Sequence, residues 1–103
     1  MPTKSFDTFK RIFIIISEIP PGRVSTYGQI ADMASISSAR TVGFALASLK
    51  GSQQGIPWHR VVNKNGEISP RSLDQMLVQK KLLVSEGIEF SKKGRIDFSV
   101  YGW

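Results

Sequence analysis

The run Gly55-Ile56-Pro57-Trp58-His59-Arg60-Val61-Val62 constrains this chain more than any other stretch. Proline fixes its own backbone angle and pushes Ile56 toward extended geometry. Trp58 therefore stands on a stiff loop, just before a β-branched pair. Helical patterns precede and follow this loop. A tryptophan so placed has two readings. It can anchor a core, since it buries much apolar area and needs one hydrogen-bond partner, or it can wall a pocket for a flat ligand. The run alone favours the anchor.

The segments on either side of the loop predict four helices. Thr3 or Ser5 can cap the first. Phe6, Phe9, Phe13 and Ile16 follow at helical spacing with Ile12 beside them, and the helix ends before Pro20-Pro21-Gly22. Thr26 and Gln29 have capping-box spacing for a second helix. Tyr27 falls in its first turn, near free backbone amides that favour a phosphate; half-buried packing would explain it equally. Ile30, Met33 and Ala34 are expected to face inward. Ser37 or Ser38 can cap a third helix running to Leu49, with Gly51 at the left-handed position beyond it. Two short helices joined by a brief polar turn outline a helix-turn-helix.

The start of the third helix, Ser38-Ala39-Arg40-Thr41-Val42-Gly43, combines small residues with a single long cation. A major-groove reader carries several base-reading side chains here. This helix instead suits close approach to a groove, with Arg40 projecting alone, either as a solvated charge at a phosphate or as a side chain inserted between bases. Gly43 costs about 1 kcal/mol inside a helix. After the Trp58 loop, Asn65-Gly66 between β-branched stretches predicts a β-hairpin over 61–68, a wing beside the helices. Ser72 can cap a fourth helix from Leu73 to Ser85, with Leu73, Met76, Leu77 and Leu83 as its apolar face and Gly87 closing it. Residues 88–103 carry Lys92-Lys93-Gly94-Arg95 and can pair as a strand or pack irregularly.

The fold class expected is therefore mainly α with a small β-hairpin, a winged helix-turn-helix-like single domain over residues 1–103. The chain has no cysteine. That removes disulfides, thiolate zinc sites and cysteine nucleophiles together. Its net charge of +6 over 103 residues points to a polyanionic partner. The most apolar run, Ile12 to Ile16, is too short to span a bilayer, so no membrane partner is expected.

Three motifs in order then carry a resemblance: Val24-Ser25-Thr26-Tyr27-Gly28-Gln29-Ile30-Ala31, Ala39-Arg40-Thr41-Val42-Gly43, and Ile56-Pro57-Trp58-His59-Arg60-Val61-Val62. Together they resemble the DNA-binding domain of O6-alkylguanine-DNA alkyltransferases. In those enzymes the last motif reads Pro-Cys-His-Arg-Val, and the cysteine accepts the alkyl group. Trp58 stands in that place here, as in the alkyltransferase-like proteins, which bind the damaged base without repairing it. The resemblance runs from the first helix to Glu86-Gly87.

The resemblance implies roles, residue by residue. Tyr27 would press on the phosphate beside the target nucleotide, and Arg40 would fill the gap left when that base is flipped. Ser38, Ala39 and Gly43 would line the approach to the minor groove. Trp58, with Tyr27, the Val61 backbone, Arg71 and Ser72, would form the lesion pocket. Arg71 would stack on the modified guanine or touch a phosphate from the wing tip. His59 and Glu86 match the pair that activates the cysteine, and without a thiol they would only hold the loop to the fourth helix. The enzymes' asparagine before the proline loop has no match in Gly51-Ser52-Gln53-Gln54.

The expectation is a non-enzymatic protein with no cofactor and no metal, monomeric and cytoplasmic or nucleoid-associated. It would bind double-stranded DNA containing O6-alkylguanine and mark it for nucleotide excision repair proteins. An ordinary helix-turn-helix regulator indifferent to alkylation is the alternative; alkyl transfer or hydrolysis by another group such as His59 is a second.

Overall fold

The computed structural model describes residues 4–49 and 55–103, with side chains from residue 8 onward. The predicted cap at Thr3 or Ser5, the side chain of Phe6, the C-cap at Gly51 and the 51–54 segment lie outside this range.

Helix α1 spans Lys4–Ser17 and buries Ile12 and Ile16, with Phe9 and Phe13 in edge-to-face contact 6.4 Å apart. Pro20 and Pro21 follow, and Gly22 turns the chain at φ 85°. Strand β1 (Ser25–Thr26) leads directly into α2 (Tyr27–Met33). The Thr26 hydroxyl accepts from the Gln29 amide at 3.0 Å, so the predicted cap forms. Its reciprocal half does not. The Gln29 side chain instead donates to the Trp103 carbonyl at 2.6 Å, because the tail of the chain docks there. Met33, expected inside, is 47% exposed; Ile30, Ala31 and Ala34 fill the inward face.

The turn after α2 takes Ser35 to φ 58°, with the Ile36 amide bonded back to Ala31 and the Ser35 amide to Asp32. This pattern closes a helix on a left-handed residue, here without glycine. Helix α3 runs Ala39–Ala47, capped by the Ser38 hydroxyl on the Arg40 amide; it stops short of Leu49, which lies in the turn beyond. Helices α1, α2 and α3 share one core of Ile12, Ile16, Ile19, Ile30, Ala31, Ala34, Val42, Ala45, Leu46 and Val61.

A single 3-10 turn, Trp58–Arg60, precedes β2 (Val61–Val62). The predicted hairpin is not how β2 pairs. Val61 lies opposite Ser25 and Val62 opposite Thr26 in a two-stranded parallel sheet. Parallel strands need a long crossover, and α2 with α3 supplies it. Both valines are fully buried, so the strand is placed where it closes the core. The turn at Asn65-Gly66 does form: Asn63 Oδ1 accepts from the Asn65 and Glu67 amides, and Gly66 has φ 77°. Its outgoing limb is not a strand. A Cβ on Gly66 would collide with the Ile96 carbonyl, so the tail packs directly on this turn.

Helix α4 (Leu73–Ser85) starts at the Ser72 cap and ends at Gly87 (φ 90°), where the Ile88 amide reaches back to Leu83. Its buried face differs from the leucine pattern. Leu83 and Gln79 point inward, whereas Leu73 (68% exposed) and Leu77 face solvent. The helix rests on the 3-10 turn through Gln79, whose side-chain amide bonds the His59 and Val61 carbonyls. The tail makes an antiparallel bridge from Phe90 to Ile96, a short helix α5 (Phe98–Tyr101) and a parallel bridge from Val24 to Gly102. It closes a second small core of Val24, Val62, Leu83, Ile88 and Ile96. No described helix is long and apolar enough to cross a membrane.

Candidate nucleic-acid interface

The Trp58 loop owes its shape to Pro57. Its φ of −79° and ψ of 64° are those of an inverse γ-turn, and the Trp58 amide bonds the Ile56 carbonyl at 2.8 Å. Trp58 is half-buried and packs against the rim of the main core, as does Tyr27. Its ring meets His59 edge-on, with centroids 6.0 Å apart. The indole is neither sealed inside nor free in solvent.

Behind the loop stands a charged cluster. His59 Nε2 lies 2.8 Å from Glu86 Oε2. Arg60 donates to the same carboxylate through Nε at 3.0 Å and Nη2 at 2.6 Å, and its Nη1 reaches the Ile19 carbonyl at 2.8 Å. The Gly22 amide adds a fourth group at 3.3 Å. Burial raises the Glu86 pKa, but hydrogen bonds from Arg60, His59 and Gly22 together outweigh it and lower the group from 4.5 to about 2. The carboxylate is therefore ionised and ties α1's exit turn, the Trp58 loop and the end of α4 into one unit. Gln79, fully buried, donates to the His59 and Val61 carbonyls at 3.1 Å each. The expected His59–Glu86 bond is present, in a larger frame than foreseen. Arg60 and Gln79 carry much of it, and neither stood out in the sequence. Gln79 shares α4 with Asp74, Gln75, Lys80 and Lys81, so nothing in the sequence set it apart.

Tyr27 is the first residue of α2 and half-buried. Its Oη accepts a hydrogen bond from Arg71 Nη2 at 2.9 Å, across 44 positions. Arg71 is half-buried. Ser72 is exposed and its hydroxyl is engaged in capping α4, accepting from the Gln75 amide at 3.2 Å. Val61 is buried, and its amide and carbonyl are bonded to Trp58 and to Gln79. The backbone contact expected of Val61 with a base must therefore be shared with these bonds.

On α3, Ser38 is half-buried, Ala39 and Arg40 are exposed, and no Arg40 ion pair occurs among the described residues. The Arg40 guanidinium lies 5.8 Å from the ring centroid of Phe44, itself 58% exposed. The i, i+4 spacing of these two was readable, and Phe44 went unnoticed. A Cβ on Gly43 would meet nothing within 4 Å. Nothing inside the protein thus requires glycine at that helical position, and the small face remains open for close approach from outside. Arg71, just before α4, is tied to Tyr27 at the start of α2, Trp58 packs on the same core as Tyr27, and Ser38, Ala39, Arg40 and Gly43 lie at the half-buried to exposed start of α3. His59 and Glu86 lie beneath the loop.

Residues 7–88 match the family described as 6-O-methylguanine DNA methyltransferase, DNA binding domain. Over 97 residues the chain is 48% identical to the DNA base-flipping protein of Vibrio parahaemolyticus, covering 90% of this chain and 92% of that one. It is 41% identical over 83 residues to alkyltransferase-like protein 1 of Schizosaccharomyces pombe, covering 79% and 76% of the two chains. The structure superimposes on S. pombe Atl1, solved with damaged DNA containing O6-carboxymethylguanine, with a TM-score of 0.86 at 35% identity, over 100% of this chain and 98% of that one.

Proposed function

This chain belongs to the family of the 6-O-methylguanine DNA methyltransferase DNA-binding domain, and from that premise we propose that it binds double-stranded DNA carrying O6-alkylguanine, turns the damaged base out of the stack and holds it with the alkyl group intact. One observation carries the reading. A half-buried indole, Trp58, stands on the rim of the core where the resemblance puts the alkyl-accepting cysteine. Indole offers no nucleophile comparable to a thiolate, and the chain has no cysteine to replace it. The names of its relatives support the same conclusion, since they are base-flipping and alkyltransferase-like proteins.

The roles follow from chemistry. Arg40, exposed and unpaired among the described residues, enters the vacated stack; Phe44 beneath it steadies the guanidinium. Ser38, Ala39 and Gly43 let α3 come close to the minor groove. Arg71 donates into Tyr27 Oη, which leaves the phenol's own proton free to donate to a phosphate beside the flipped nucleotide. The remaining face of Arg71 is available to stack on the guanine. Trp58 walls the pocket with Val61 and Ser72 at its border. His59 and Glu86 hold the loop and take no proton from a reactant. The chain acts as one monomeric domain over residues 1–103, in the cytoplasm or on the nucleoid, without cofactor or metal, and its bound lesion is handed to nucleotide excision repair proteins.

The test compares binding to matched duplexes containing guanine or O6-methylguanine, followed by intact-mass measurement of protein and DNA. Tighter binding to the alkylated duplex with both masses unchanged is expected. Equal affinities would make the chain an ordinary helix-turn-helix regulator. A mass gain on the protein, or loss of the alkyl group from DNA, would make it an enzyme.

A further inference from the structure

The unit that faces DNA carries almost no charge with which to hold it. From Tyr27 to Ala47 there is one cation, Arg40, and one anion, Asp32. Duplex affinity rests largely on cations placed at phosphates, so the charge must come from elsewhere in the fold. Most other cations are engaged or badly placed. Arg60 is paired with Glu86, Arg71 is bonded to Tyr27, and the Lys80 ammonium lies 5.3 Å from the Phe90 ring centroid. Lys10 and Arg11 are exposed on α1, whose buried face packs on the inner side of the helix pair.

Among the described residues, one basic group gathers several cations without ion pairs at the end of the sheet from which Tyr27 leaves. Strands β1 and β2 are parallel, with Thr26 opposite Val62. Tyr27 and Asn63 therefore follow the last pair of the ladder, at the same end of the sheet. Asn63 opens the turn that carries Lys64. The tail turn is stitched onto it: the Ile96 amide donates to the Gly66 carbonyl at 2.8 Å, and Arg95 Nε lies 3.4 Å from Glu67 Oε2. The tail turn is itself well built. Ser91 bonds the Lys93 and Arg95 amides through its hydroxyl and the Arg95 carbonyl through its amide, and Gly94 takes φ 77°. Lys64, Lys92 and Lys93 are exposed, and no ion pair involves them among the described residues. With Arg95 they put four cations, against Glu67 and the exposed Glu89, on two turns joined at the sheet end from which Tyr27 leaves.

We infer that the paired turns at Asn63–Glu67 and Ser91–Arg95 form a second phosphate-binding site, which grips the DNA backbone flanking the lesion while α3 and Tyr27 act on the lesion itself. The inference rests on the DNA-binding function proposed above. The contacts are to phosphate, so they add affinity irrespective of the base. The tail thereby becomes part of the binding face.

The double variant K92A/K93A tests this in the full chain, by fluorescence anisotropy on duplexes with guanine or O6-methylguanine between 50 and 200 mM salt. Each lost phosphate contact lowers the slope of log affinity against log salt by about 0.9. The slope should fall by about 2, so that the wild type loses about tenfold more affinity than the variant across that range. Both duplexes should weaken alike, leaving the preference for alkylated DNA unchanged, and K92E/K93E should weaken them further. An unchanged slope would overturn the site, as would an equal effect from K10A/R11A, which would mark a diffuse charge effect. A change in the alkyl preference would also overturn it. Failure of the wild type to prefer alkylated DNA would instead overturn the underlying function, and the two failures are read from different samples.

Discussion

Replacing Glu86 by glutamine keeps the side chain's shape and removes its charge, which tests whether the carboxylate is the fastener of the Trp58 loop. Arg60 and Glu86 side chains are 13% and 14% exposed, with a 2.6 Å contact between them. Breaking a buried pair by altering one partner costs about 3–5 kcal/mol, because the other charge is stranded. Water reaches the edge of this pair, so the lower end, about 3 kcal/mol, applies. For a domain of this size that corresponds to a fall in Tm of about 12 to 24 °C. The pH dependence gives a second handle. The folded-state pKa of Glu86 lies at about 2, below its ordinary 4.5. Its stabilisation is therefore complete above pH 4.5 and is lost as pH falls from 4.5 toward 2. Thermal unfolding followed by circular dichroism, at pH 7 and pH 3, should show a wide gap between wild type and variant that narrows in acid. A gap under about 4 °C at pH 7, worth less than 1 kcal/mol, or one that stays constant with pH, would refute the cluster as the structural fastener.

Arg40→Ala should weaken binding to alkylated duplex by more than tenfold and abolish the fluorescence rise of a 2-aminopurine placed to report flipping; an unchanged signal would remove Arg40 from the stack. Tyr27→Phe and Arg71→Ala should each cost affinity, and the double variant should cost less than their sum, because the two side chains share one hydrogen bond; strictly additive losses in a double-mutant cycle would show that they act independently. Ser35→Gly should raise stability by about 0.5–1 kcal/mol, since the left-handed backbone at φ 58° strains serine but not glycine; chemical denaturation would show it as a higher midpoint. Gly66→Ala should be among the most damaging single changes in the tail region, because its methyl group would be driven into the Ile96 carbonyl; a Tm within about 4 °C of wild type would contradict the close packing of the two turns.

Under the function proposed above, the site would separate two tasks that an alkyltransferase combines. The frame of Glu86, His59, Arg60 and Gln79 positions the loop, and the residue at its tip decides whether bond-breaking follows. A thiolate on such a loop would deliver a nucleophile; under the proposed function, Trp58 would instead present a flat apolar wall, and contacts to the base would offset the cost of flipping it.

The local signals were legible because their physics is local. Thr26, Ser38 and Ser72 each cap a helix by accepting an amide hydrogen two or three residues ahead, and Gly87 ends α4 within one turn. Pro57 shapes the Trp58 loop through neighbours alone. Such features need no knowledge of the rest of the chain, and the motif order around them was enough to show the family. Long-range choices were not legible in the same way. Leu73 and Leu77 repeat at helical spacing yet face solvent, since periodicity marks a stripe without saying which stripe meets the core. Val61–Val62 could pair with the next segment or with a distant one, and the burial available beside Ser25–Thr26 decided for the distant one. Gln29 meets Trp103 across 74 positions and Arg60 meets Glu86 across 26. Contacts of that separation exist only once the core has brought the segments together, which is why the caps and the loop belonged to the sequence, and the parallel sheet, the charged frame and the docked tail belonged to the tertiary fold.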